Sequence, residues 1–259
     1  INLLEELNMP KSPAQMFLDG EWTYTAFKDY AIAAQTELNK LVKADEKYYA
    51  VAGNSPYYWT GMANAGGVKL ADVTRMEMDI KNPIAIAAAD TLKAIFKGNA
   101  MDPQSGVDEK IASWNDGLAL FATGDLWFVN TPNRWKEDLW GPGHLTRYGY
   151  VPFPRPDGTD LSSQRIGLGG TATLVMPIGR DYSGYGDECT AENIYRALAE
   201  TFLKTEEFLK NDPAYNEETY RRSFAERYAE AEDSIQAFIW MLDHIGEIGF
   251  YDPLSTPDN

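Results

Sequence analysis

Cysteine and histidine are nearly absent from this chain, and their scarcity excludes whole classes of chemistry. Cys189 is the single cysteine among 259 residues, so no internal disulfide and no cysteine-based zinc site can form. One unpaired cysteine fits a cytosolic protein and equally an extracellular bacterial one that does without disulfides. His144 and His244 are the only histidines, which excludes a histidine-rich metal site. A Ser/His/Asp triad would have to recruit one of these two, and neither has a nucleophile elbow nearby. Positive charge is also short, with 23 Lys and Arg against 39 Asp and Glu, a net charge of −16 and a pI near 4.5. Such a chain cannot neutralise a row of phosphates, so nucleic acid is excluded as a partner, and an anionic membrane surface would repel it. No apolar run approaches the ~20 residues that span a bilayer. No GxxxxGK[ST] loop occurs, and GLGG in IGLGGTATL lacks the spacing of a dinucleotide fingerprint. No cofactor and no metal are expected.

What is present is a globular mixture: 44% hydrophobic residues and 13% aromatic, enough for a large core. The opening INLLEELNMPKSP reads as the interior of a helix rather than a natural start, so the lack of a targeting signal is uninformative. Residues 1–7 read as a helix end, closed off by Asn8 and Pro10. Thr23 is an N-cap, and Trp22 before it pairs with Phe27 inside the helix as a hydrophobic staple. Phe27, Ala31, Ala34, Leu38 and Leu41 then form one apolar stripe. KYYAVA (47–52) reads as a buried strand. Asn82-Pro83 starts a helix buried through Ile84, Ala88, Leu92 and Ile95, with Gly98 ending it. Another helix follows from about Ser105, with Val107, Ile111 and Trp114 inward. Its end has two readings. Leu118 and Phe121 continue the stripe, but Gly117 suits a C′ residue and LALFA suits a short strand. We take a stop at Gly117 and a strand over 118–122. Residues 130–140 read as helical, YGYVPFPRPDG as a strand breaking into a proline-rich loop, and 167–178 as a glycine-led strand. Helices then occupy roughly 191–210, 213–230 and 234–247. Strands mixed with helices early and helices alone late describe an α/β body with a helical C-terminal region.

The aromatic residues carry the functional signal. SPYYWTGMANAGG (55–67) places Tyr57, Tyr58 and Trp59 between a proline and glycines, in an expected loop after a strand, and Trp127 follows a Gly-Asp turn after another. Aromatic residues at loop mouths are placed for recognition more often than those inside periodic segments. A sugar suits them, since its C–H face stacks on a ring while its hydroxyls need fixed polar partners. Asn64, Thr60, Asp125 and the open backbone at Gly169-Gly170 are the candidates for those. The competing reading has the rings merely plugging the end of a sheet, and applies more to 57–59 than to Trp127. The 39 acids leave a glycosidase-type carboxylate pair open without pointing to one.

Several segments together resemble a family. LNMPKSPAQMFLDGEWTYTAFKDYA, NSPYYWTGMANAGG, WNDGLALFATGDLW, YGYVPFPRPDG and GLGGTATLVMPIG are similar, in order and spacing over most of residues 1–185, to stretches of the family 1 extracellular solute-binding proteins of bacterial ABC transporters. The resemblance implies a periplasmic-binding-protein type II lobe, with the N-terminal lobe largely missing before Ile1. It implies an α/β body over 1–167, a segment crossing to the other lobe over 168–210, and C-terminal helices packing on the body over 211–259. In that crossing segment a helix face of Ile194, Leu198 and Phe202 should lack its usual partner. The implied function is carbohydrate binding between two lobes, delivered to permease subunits and not catalytic. The implied location is extracellular, as a cell-surface lipoprotein or in the periplasm, touching the membrane only through a lipid anchor on the missing N-terminus. Tyr57 and Trp59 fall on cleft aromatics of the family, Trp127 on its ligand-facing tryptophan, and Gly169 and Gly170 where the chain returns to the other lobe. Ser55 stands where maltose-type members carry an acid, so their specificity does not transfer. The alternatives are a secreted glycan-acting hydrolase with a carboxylate pair and a receptor for a non-sugar solute.

Overall fold

The computed structural model describes residues 1–7, 9–41, 46–104, 112–124, 148–168, 183–186, 190–198, 200, 211, 216–227 and 229–255. The chain divides into two compact units, one formed by 1–170 with 222–259 and the other by 171–221. The first unit opens with α1 (Asn2–Glu6) and α2 (Pro13–Leu18). The sequence reading passes over α2, although its start has a local signature: Ser12 accepts a bond from the Gln15 amide at 3.0 Å and Pro13 takes the first helical position. Helix α3 (Tyr24–Leu38) begins as expected. Thr23 caps it through the Ala26 amide, and the Trp22 and Phe27 rings meet at 5.5 Å. Phe27, Ala31, Ala34 and Leu38 are buried along one face.

Strand β1 (Tyr49–Ala52) follows, then α4 (Ser55–Ala65), a short hairpin of the two-residue strands β2 (Ala71–Asp72) and β3 (Glu77–Met78), and α5 (Pro83–Lys97). Asn82 caps α5 through the Ile84 amide, and Ala88, Leu92 and Ile95 are buried as expected, with Ile84 half-buried. Of the helix expected from about Ser105, residues 105–111 with Val107 and Ile111 lie outside the described residues. The described part, α6 (Ala112–Asn115), ends before Gly117, whose φ of 73° is the left-handed geometry of a C′ glycine. Strand β4 (Ala119–Ala122) pairs parallel with β1, Val51 opposite Phe121 and Ala52 opposite Ala122. On the other side of β1, Met101 bridges Val51 in parallel. Gln35 of α3 reaches the strand through its buried amide, which donates to Tyr48 O at 2.9 Å and accepts the Ala50 amide at 2.8 Å.

The expected strand in YGYVPFPRPDG does not join a sheet among the described residues. Pro152 and Pro154 have no N–H for a ladder; the segment makes a single isolated bridge, between Arg155 and Thr23, and Asp157 accepts from the Thr25 amide and hydroxyl at the start of α3. Downstream, β5 (Ile166–Leu168) pairs parallel with β6 (Gly249–Tyr251). The third late helix runs over Glu232–Ile248, and the second covers Glu217–Ala225 rather than the longer span expected; they are α8 and α7. Helix α8 packs on α2, with Trp240 edge-on to Phe17 at 5.1 Å. In the second unit, residues 191–198 are helical; Leu198 is exposed and Ile194 half-buried. Phe202 and the expected elements at 130–140 and 169–178 lie outside the described residues. Among the described residues no helix is long and apolar enough to cross a membrane.

Candidate functional site

In open α/β sheets ligands bind beyond the carboxyl ends of parallel strands. Here the carboxyl end of β1 runs through Gly53 and Asn54 directly into α4, so SPYYWTGMANA is a helix and not the loop expected from its proline and glycines. Pro56 falls in the first turn, where its missing N–H costs nothing, and Gly61 sits inside the helix. A Cβ at Gly61 would run into the Phe153 ring, so the glycine marks a close approach.

The helix sorts its aromatic residues by period. Tyr58 is 4% exposed, stacks on Phe27 at 6.1 Å, meets Phe153 edge-on and donates from Oη to Ala52 O at 2.9 Å. Burial holds its phenol far above the ordinary tyrosine range. Tyr58 is core. Trp59 is half-buried between α4 and α5, and its indole N–H donates to Ala85 O at 2.8 Å. Thr60 is buried and donates to Tyr57 O at 3.1 Å. Tyr57 is half-buried in the first turn, next to the exposed Ser55 and Pro56.

Asn64 is spent elsewhere. Its Nδ2 donates to Val68 O and to Asp252 Oδ2, each at 2.8 Å, and its Oδ1 accepts from Ser255 Oγ at 2.8 Å. With Asp252 also accepting the Leu70 amide at 2.7 Å and the Leu254 amide at 3.1 Å, this buried knot ties the C-terminal stretch to α4. It leaves the Asn64 amide no group for a ligand. Asp125, Trp127, Gly169 and Gly170 lie outside the described residues; among the described candidates Tyr57 stands in the turn after β1, while Trp59 is committed between α4 and α5.

Two residues that the sequence reading passes over stand at that edge. Asn54 occupies the N-cap position of α4, yet its half-exposed side chain caps no amide. Thr123 follows β4 directly, as Gly53 follows β1 after the last register pair Ala52–Ala122; it is 8% exposed and its Oγ1 is buried with no hydrogen-bond partner. Asn before Ser-Pro was a readable cap signal; the unpaired threonine had none.

The buried carboxylates among the described residues are both structural. Asp252 belongs to the knot above. Asp102 accepts from Ser113 Oγ at 2.7 Å and from the Gln104 amide at 2.9 Å, and its own amide donates to Val51 O. Among the described residues no three His, Cys, Asp or Glu side chains are grouped to hold a metal ion. Compared with protein families, curated proteins and solved structures, the chain matches none at a significant level.

Proposed function

We propose that this chain belongs to the substrate-binding component of an ABC importer and offers a carbohydrate-binding face at the carboxyl edge of β1 and β4. The observation that carries the reading is the first turn of α4. It follows a parallel strand after two residues and holds Tyr57, half-buried, at the edge where α/β sheets receive ligands. The ordered resemblance of five sequence segments to solute-binding proteins supports it. In such a receptor the solute contacts two lobes and favours their closed arrangement, because only differential contact shifts a population. The closed form is then read by membrane permease subunits, from the extracellular or periplasmic side.

The test is a thermal-shift and tryptophan-fluorescence screen against glucose, xylose, maltose, cellobiose and a set of free amino acids. A saccharide at 100 times its Kd stabilises the protein by about 2.7 kcal/mol, and Tyr57→Ala abolishes that shift. A response to amino acids alone overturns the carbohydrate assignment. Release of reducing ends from the disaccharides, lost on changing one Asp or Glu, overturns the receptor reading altogether.

A further inference from the structure

Resting on that reading, we propose that Asn54 and Thr123 form the polar, specificity-determining half of the site, receiving hydroxyl groups of an uncharged ligand. Thr123 follows the end of β4 two residues beyond Phe121, and the strand's alternation carried one step past Ala122 puts it on the Phe121 face. Phe121 marks that face: its ring meets Trp22 at 6.0 Å, Phe27 at 5.6 Å and Tyr30 at 6.0 Å. Helix α4 lies on the same face, because Tyr58 stacks on Phe27. Thr123 thus leaves β4 on the α4 side, at the step where Gly53, buried and with a φ of 106°, leaves β1.

A buried hydroxyl without a partner is costly and rare in a folded protein. The usual remedies, a backbone carbonyl or a neighbouring side chain, are not used here. The hydroxyl and methyl of threonine exchange places by one step between staggered wells. Oγ1 thus turns to a ligand at the edge without backbone movement. Asn54 offers the complementary group: a half-exposed carboxamide at an N-cap position, engaged with none of the α4 amides it normally serves. Hydroxyl and carboxamide each donate and accept, which suits the hydroxyls of a sugar, while the net charge of −16 disfavours anions.

The experiment is calorimetric titration of the protein with maltose and with cellobiose, comparing wild type, Thr123→Val, Asn54→Ala and Tyr57→Ala. Thr123→Val is expected to weaken disaccharide binding about tenfold, Asn54→Ala by a similar factor. The melting temperature of Thr123→Val stays level or rises, since an unpaired buried hydroxyl is removed. Binding within about twofold of wild type in both variants, with Tyr57→Ala binding lost, overturns this assignment and leaves the carbohydrate reading standing. A wild-type protein that binds none of glucose, xylose, maltose and cellobiose removes both.

Discussion

Arg155 shows how much a single side chain can organise. It is fully buried, with no carboxylate among the described residues in ion-pair contact, and its guanidinium donates to three backbone carbonyls: Gly20, Trp22 at 3.3 Å and Thr159 at 3.2 Å. Burial pulls its pKa below the ordinary arginine value, against the opposing charge of Asp160. Its own backbone also bonds to Trp22 O and Tyr24 N, so it fastens the proline-rich segment to the start of α3. Arg155→Met keeps most of the volume but takes the guanidinium donor from Gly20 O and Thr159 O, while Trp22 O keeps the Arg155 amide. The expected cost is about 3 kcal/mol or more, read from urea unfolding. Nothing in RPDG announces this role, because the carbonyls it serves come from residues far away in sequence. Tyr58 was equally hard to read: between its neighbours Tyr57 and Trp59 it is indistinguishable by type, and only helical period sends it inward.

At the scale of elements, local signals were strong wherever caps and periodic stripes coincide. Thr23, Asn82 and Gly117 each sit where their chemistry predicts. The strand reading of LALFA holds because Gly117 ends α6 and β1 is available as a parallel partner. The misreading fell on α4, whose glycines and proline mimic a loop. Gly61 gives a direct test of why. Gly→Ala inside a helix normally gains about 1 kcal/mol. Here the added methyl collides with the Phe153 ring, so Gly61→Ala is expected to destabilise by about 1–3 kcal/mol in thermal or chemical unfolding. Stabilisation would show that Phe153 moves aside freely.

For the whole molecule, acidity sets the response to pH. Glu232 at the start of α8 is held at a pKa of about 2, first by its bond to Arg222 and then by Gln236. For Asp157, burial pushes the pKa up, but bonds from Thr23 and Thr25 outweigh it and leave the carboxyl below its ordinary value. Both groups have folded-state values below their unfolded ones. Their contribution is complete above the unfolded pKa, near 4–4.5, and is lost as pH falls through the folded values. Unfolding free energy should therefore decline between about pH 4.5 and 2, and Glu232→Gln should flatten that slope. Because the Glu232 pair is exposed, salt should reduce the difference between wild type and variant.

Composition alone excluded an internal disulfide and a zinc site built on cysteines, since those depend on how many groups of a kind exist and not on where they lie. Local sequence also determined the caps, the α3 and α5 stripes and the β1 and β4 strands, because these arise from neighbours a few residues apart. Only tertiary structure decided which polar groups are free for a ligand. Asn64 looked available until Asp252 and Ser255, nearly two hundred residues away, took up its amide. Thr123 looked ordinary until folding buried its hydroxyl, unpaired, just past the end of β4. Hydrogen-bond satisfaction is a property of what folding brings together, and no local pattern encodes it.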